Sequence, residues 1–322
     1  MASFNRYTEG KSVVDRWGSA GAGKTFAITG ATPGSLGALT ILRLAATRPA
    51  RVILLVRDER KVYDIAREIS EISPDTEVLT IYIELDDFGS VTTAASEVRS
   101  RVNKIDVLIN NAGVMAIPWA TNKNGIEKTL AVNHLGHFLL TNLLMPLLSA
   151  SGPGARIVNL TSGAYGMTPF CFQAWNFADG KTYNSLTAYG QSKTANILFT
   201  VGLADRFGQD GIFSYAVHPG YIPSTAIVSH LAELDFSAID AITRENTGFA
   251  AEVEEEKTRE QGVATTLVAA LSPDLVAHNG VYLRDCQVCE TRGYAKDRGA
   301  ADKLWRLSEE LTGVKVRVYW LA

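Results

Sequence analysis

The chain lacks the features that would commit it to several broad classes of function. Only three cysteines occur in 322 residues: Cys171, Cys286 and Cys289. An odd count without framework spacing argues against a disulfide-stapled secreted domain and for a reducing compartment. Cys286-x-x-Cys289 has no second Cys or His pair nearby, and a tetrahedral zinc site needs four ligands, so no metal is expected. Charge of one sign is also lacking, since 31 Lys and Arg against 34 Asp and Glu leave a net charge of −3. Neither nucleic acid nor an anionic membrane is therefore an expected partner. No apolar run reaches the ~18–20 residues that span a bilayer. Residues 1–16 are polar and mixed in charge, unlike a signal peptide. Repeats, low-complexity tracts and linkers are missing too. What remains is an ordinary globular composition, 46% hydrophobic and 20% charged.

Apolar runs of strand length alternate with helical patterns. The strands read as Thr25–Thr29, Arg51–Val56, 78–83, 105–109, 155–160, 212–217 and 280–283. Helices are expected at 61–72, 91–102, 125–149, from Tyr189 onward, at 262–271 and at 300–311. Such alternation predicts βαβ units and a doubly wound parallel α/β sheet of about seven strands, covered by helices on both faces. One domain is expected over residues 24–322, with residues 1–23 as a flexible lead-in. An insertion at about 223–261, acidic near 252–256, sits where a lid would.

Gly18 to Thr25 matches the phosphate-loop pattern G-x-x-x-x-G-K-[ST], but its strand follows the lysine instead of preceding the glycines, so a P-loop is not expected. The glycine turn in the right context is Thr29-Gly30-Ala31-Thr32-Pro33-Gly34-Ser35-Leu36-Gly37, between a buried strand and a helical pattern. There, backbone N–H groups and a helix N-terminus can hold a pyrophosphate. Arg57, at the tip of the next strand, suits a 2′-phosphate and favours NADP over NAD, although Arg57-Asp58 also reads as a solvated charge pair. Glu84, Leu85, Asp86 and Asp87 end the third strand, where an acid can reach an adenine amino group or cap the next helix. Asn111-Ala112-Gly113 lets a flat ligand pass close to the backbone. His134 and His137 read as packing residues, lacking a third ligand. Ser162 follows a central strand, and Phe170, Phe172, Trp175 and Phe177 form either a substrate wall or loop packing.

Tyr189 and Lys193 stand four apart, on one helical face. An ammonium that close favours phenolate, so the tyrosine's pKa is expected below its usual value near ~10. Such a phenol can exchange protons with a carbonyl or alcohol oxygen.

These stretches resemble the short-chain dehydrogenase/reductase family, most closely its retinol-dehydrogenase-like branch, which includes many fungal reductases. The resemblance runs from Lys24 to Gly313. Carrying it are the Thr29–Gly37 loop, Asn110-Asn-Ala-Gly113, Val132-Asn-His-Leu-Gly-His-Phe138, Tyr189-x-x-x-Lys193, His218-Pro-Gly220 and Gly280-Val-Tyr-Leu-Arg-Asp-Cys286. It implies a catalytic set of Asn133, Ser162, Tyr189 and Lys193. Asn133 would bend its helix and hold a relay water. The resemblance also implies that Pro219, Gly220 and Ile222 border the nicotinamide, that Ser224 lies near the cofactor phosphates, and that Glu84 is the adenine-binding acid, with Asp86 second. Three departures matter. The glycine loop lacks the family's middle glycine, with Ser35 in its place. An acid other than aspartate meets the adenine position. The branch's membrane-anchoring N-terminal helix is missing, so a soluble, cytoplasmic enzyme is expected.

The expected activity is NADP-dependent reduction of a carbonyl, or oxidation of the matching alcohol, on an apolar small molecule. Non-redox chemistry on the same fold and a catalytically idle NADP-binding protein remain as rivals. A homodimer through the helices of Asn133 and Tyr189 is a family expectation.

Overall fold

The computed structural model describes residues 4–225, 227–228 and 238–315. Residues 226 and 229–237 of the expected insertion lie outside them. Eight strands form one sheet: β1 (Thr25–Thr29), β2 (Arg51–Val56), β3 (Glu77–Tyr82), β4 (Val107–Asn110), β5 (Arg156–Leu160), β6 (Phe213–His218), β7 (Val281–Arg284) and β8 (Gln287–Cys289). Their order is β3-β2-β1-β4-β5-β6-β7-β8. All neighbours run parallel except β7 and β8. The strand beyond the expected seven is a short hairpin return, turned through Asp285 and Cys286 at φ 55 and 63. Its three residues give too little periodicity to be read from sequence.

The helices are α1 (Gly10–Trp17), α2 (Leu36–Ala45), α3 (Tyr63–Ile72), α4 (Phe88–Arg101), the single turn α5 (Lys128–Leu130), α6 (Gly136–Ser149), α7 (Ser185–Phe207), α8 (Ala238–Thr247), α9 (Arg259–Leu271) and α10 (Arg298–Thr312). Strand residues alternate between two cores. Ala27, Ile53, Leu108 and Ile157 meet the side of α4, α6 and α7, whereas Phe26, Leu54, Ile109 and Val158 meet that of α1, α2 and α9. Both faces of the central strands β1, β4 and β5 are thereby kept dry, whereas the edge strands β3 and β8 stay partly exposed.

Two expectations meet a different structure here. The described part of the expected flexible lead-in, residues 4–23, holds a helix. α1 buries Val13 and Trp17 against α9, because about two amphipathic turns suffice once an apolar groove receives them. The predicted single helix at 125–149 is broken, running through α5, a π-helical turn at Ala131–Leu135 and then α6. On α6 and α7, the helices that the family resemblance offers for a homodimer contact, α10 packs its Trp305 5.0 Å from the Phe138 ring and 5.8 Å from that of Phe199.

The G-x-x-x-x-G-K-T pattern falls at the amino end of β1, away from the ligand edge. Lys24 Nζ is 3.0 Å from Asp106 Oδ1, so this lysine neutralises a buried carboxylate instead of holding a phosphate.

Candidate active site

The strand order reverses between β1 and β4, and at such a point the connecting loops part and leave a crevice at the carboxyl edge. A cavity of about 790 Å³ follows that edge, from Arg57 and Glu84 at one end past Gly30 and Gly113 to Ser162, Tyr189 and Lys193. The sequence-predicted residues Gly30, Ser35, Leu36, Arg57, Glu84, Leu85, Asn111, Ala112, Gly113, Pro219, Gly220 and Ile222 all line it.

Gly30 has φ 74, and a Cβ there would fall 2.9 Å from the Ala112 Cα, so only glycine lets these two loops cross. Gly34 and Gly37 shape the loop but do not line the cavity. Ser35 caps α2, accepting from Ala38 N at 3.1 Å and donating to Gly30 O at 3.2 Å. The residue replacing the family's middle glycine thus anchors the turn.

At the far end, Arg57 is 68% exposed and only loosely paired, 3.9 Å from Glu84. Asp58 is turned away. Its carboxylate accepts from Arg60 N and Nε, both at 3.1 Å. Among the acids after β3, Asp87 caps α4 through Gly89 N and Ser90 N. Asp86 is 3.1 Å from Lys128, which leaves Glu84 as the acid facing the cavity. Burial, with a hydrogen bond to Asp86, raises its pKa.

Tyr189, Ser162 and Lys193 converge. Thr161 Oγ1 donates to Lys193 O at 2.8 Å and Asn196 Nδ2 to Leu160 O at 2.9 Å, pinning α7 to the end of β5. The Tyr189 phenol is buried, with the Ser162 hydroxyl close enough to lower its pKa. Lys193 Nζ lies 5.5 Å from the Tyr189 ring centre and donates to Leu160 O at 3.2 Å.

The electrostatics overturn the expected phenol pKa. Burial pushes Tyr189 up to about 12, with Ser162 pulling it down and Glu254 adding to the rise. Burial pushes Lys193 down to about 8. Spacing along a helix brings two groups together, but here desolvation of both charged forms outweighs their attraction.

Asn133 lies in the π-helical turn and does not line the cavity. Its amide brackets Val114, accepting from N at 2.8 Å and donating to O at 2.9 Å, and it also donates to Ser192 Oγ at 2.9 Å. It therefore aligns the loop after β4 with α7. His137 Nε2 is 2.9 Å from Thr29 Oγ1 and His134 Nε2 is 2.8 Å from Ser308 Oγ, in keeping with packing roles. Ser224 is exposed and outside the lining, and its neighbour Thr225 borders the cavity instead. Phe170, Phe172 and Trp175 pack into the core. The apolar wall near Tyr189 is Met115, Met167, Leu186, Val228 and Ile239. Sequence reading also missed Glu254 and Arg292, which enter from distant loops with no local pattern to mark them.

This crevice fits a dinucleotide. The close crossing of Gly30 and Ala112, the amino end of α2 and the exposed, loosely paired Arg57 lie along one groove that ends at the phenol.

Comparison with known proteins agrees. A family model described as short chain dehydrogenase matches residues 24–234. Retinol dehydrogenase 12 of Mus musculus is 37% identical over 293 residues, covering 91% of this chain and 87% of its own. The chloroplastic short-chain dehydrogenase TIC 32 B of Brassica napus is 35% identical over 296 residues, covering 89% and 88%. The crystal structure of an uncharacterized protein from Mycobacterium paratuberculosis superposes with TM-score 0.70 at 32% identity, covering 92% of this chain and 95% of that one. The chain belongs to the short-chain dehydrogenase family, on its retinol-dehydrogenase-like side, and is a short-chain oxidoreductase.

Proposed function

We propose that the chain is an NADP-dependent oxidoreductase that interconverts a carbonyl and an alcohol on an apolar small molecule. The observation that carries this reading is the joining of the Ser162 and Tyr189 hydroxyls, beside Lys193, at the closed end of a crevice whose other end holds Arg57. A bound nicotinamide dinucleotide supplies the hydride in reduction and accepts it in oxidation. At neutral pH the buried phenol keeps its proton, the form needed to donate to an alkoxide as charge develops on the substrate oxygen. Ser162 gives that oxygen a second hydrogen bond. In the alcohol direction the base is the deprotonated form, the Tyr189 phenolate, which takes the proton from the alcohol and becomes the phenol again, the Lys193 ammonium beside the ring offsetting the phenolate charge until then.

Arg57 supports NADP, because an exposed guanidinium at the end of β2 matches a 2′-phosphate and Asp58 is engaged elsewhere. The methionine and aliphatic wall supports an apolar substrate. The test is NADPH oxidation against a panel of lipophilic ketones and aldehydes, wild type beside Tyr189→Phe. Turnover in the wild type and its near-complete loss in the variant are expected. Equal rates would sink the reading, and product formation without net NADPH consumption would point to isomerisation or dehydration.

A further inference from the structure

His218 closes β6, and its side chain is 2% exposed. Nδ1 accepts from two backbone N–H groups, Gly163 at 3.1 Å and Gly220 at 3.3 Å. An imidazole nitrogen that accepts cannot carry the proton, so the proton is on Nε2. Nε2 lies 2.9 Å from Glu254 Oε2 and donates to it. One ring thus ties the loop after β5, which carries Ser162, to the loop after β6, which carries Pro219 and Gly220.

Glu254 belongs to an extended stretch between α8 and α9. Glu254 turns inward to His218, while Val253 is 96% exposed and Glu252 meets Arg284 at the surface. The stretch is held at several points. Arg284 Nη1 is 2.5 Å from Glu252, Lys257 Nζ is 2.5 Å from Asp285, and Lys257 N donates to Tyr221 O at 2.8 Å. Gly163 leaves space for the carboxylate, since a Cβ there would fall 1.7 Å from Glu254 Oε1. The site is therefore shaped to bring this one carboxylate against His218.

We infer that Glu254 and His218 form a positioning pair that fixes Ser162 and the Pro219-Gly220 turn relative to each other. The inference rests on the oxidoreductase reading above. Neither residue transfers a proton to substrate. Glu254 holds the imidazole in its Nε2–H tautomer, the only neutral form whose Nδ1 can accept from both loops. Without the carboxylate the ring can rotate or move its proton to Nδ1. Three N–H groups would then point at one another, and the two loops would part.

The test uses the full-length enzyme with NADPH and the best carbonyl substrate of the panel. Glu254→Ala is expected to lower kcat roughly ten- to a hundredfold, the scale of a small misplacement of a catalytic group. Neither KM should change much, because the loss is confined to the transition state. Glu254→Gln, whose amide oxygen still accepts from Nε2, should recover most of kcat. Unchanged kcat in Glu254→Ala overturns the inference. So does a rise in KM alone, which would make Glu254 a substrate contact. A Gln variant as slow as the Ala variant would overturn it too, since charge and not orientation would then be at work. A readout independent of turnover is the nitrogen-15 imidazole spectrum of cofactor-free enzyme. A fixed Nε2–H tautomer for His218 is expected in the wild type and its loss in Glu254→Ala. A wild-type His218 without that tautomer overturns the pair whatever the activity, whereas failure of the oxidoreductase reading would leave this spectrum intact.

Discussion

At the scale of single residues, the active site stores a cost that its stability should reveal. Lys193 gives up its proton near 8 when folded, against an ordinary value of 10.5. The unfolded chain therefore binds more protons between about pH 8 and 10.5, and stability should rise with pH across that window. Below it the folded state carries a buried ammonium at a penalty on the order of 3 kcal/mol. Lys193→Met keeps an unbranched apolar stem, and the Leu160 carbonyl keeps its bond from Asn196 Nδ2. The expected variant is inactive yet more stable than wild type at pH 7 by about 2–3 kcal/mol, with the alkaline rise removed. Urea unfolding of cofactor-free protein at several pH values checks this, and a destabilised variant would show that the ammonium contributes favourably. Arg57 belongs to the same scale. Arg57→Ala should raise KM for NADPH roughly ten- to a hundredfold, the worth of a charged hydrogen bond, and leave NADH unaffected. An unchanged preference would show that Arg57 does not read the phosphate. Tyr189, Ser162, Lys193 and Arg57 were all legible in the sequence, because short motifs fix which residues share a helix face or a strand tip. The direction of the Tyr189 shift was not, since it depends on burial by distant segments. Glu254 was not legible either, because its partner His218 is 36 residues away in sequence.

Elements with a strong period were readable, and those built by tertiary contact were not. β1 to β7 announced themselves as apolar runs, and α2 by the glycine turn before it. α1 did not. Its eight residues include three charges, and its burial depends on a groove formed by α9 some 250 residues later. The π-helical turn at Asn133 left no mark in the hydrophobic period, and only the family resemblance implied a bend there; the amide bonds Val114 and Ser192. α1 makes its own prediction. Trp17 is 8% exposed, stacks edge-on against Phe4 at 5.1 Å and packs in the α2 and α9 core. Trp17→Ala should cost about 3 kcal/mol, at the low end for a buried aromatic because the site is peripheral. Denaturant unfolding measures it, and a cost within about 0.5 kcal/mol, typical of a surface change, would mean that this segment contributes no packing.

At the scale of the whole molecule, α10 decides what surface is left for a partner. The face of α6 and α7 that family resemblance offers for a dimer would otherwise expose the Phe138 and Phe199 rings. In this chain Trp305 covers them, Arg206 lies over the indole at 4.2 Å, and Ser308 meets His134 at 2.8 Å. α7 is buried over most of its length, and the exposed large apolar side chains among the described residues, such as Tyr63, Ile72 and Tyr82, lie elsewhere. A stable interface needs on the order of 800 Å² per partner with an apolar centre, and among the described residues this face presents no such centre while α10 is docked. If this is the face that would pair the chains, the wild type should sediment with the mass of one chain. Trp305→Ala should lose about 3 kcal/mol of stability and, by uncovering Phe138 and Phe199, acquire concentration-dependent self-association. Sedimentation velocity of both proteins over a range of concentrations separates the cases. A wild-type dimer left unchanged by Trp305→Ala would show that α10 does not govern assembly and that a different surface pairs the chains.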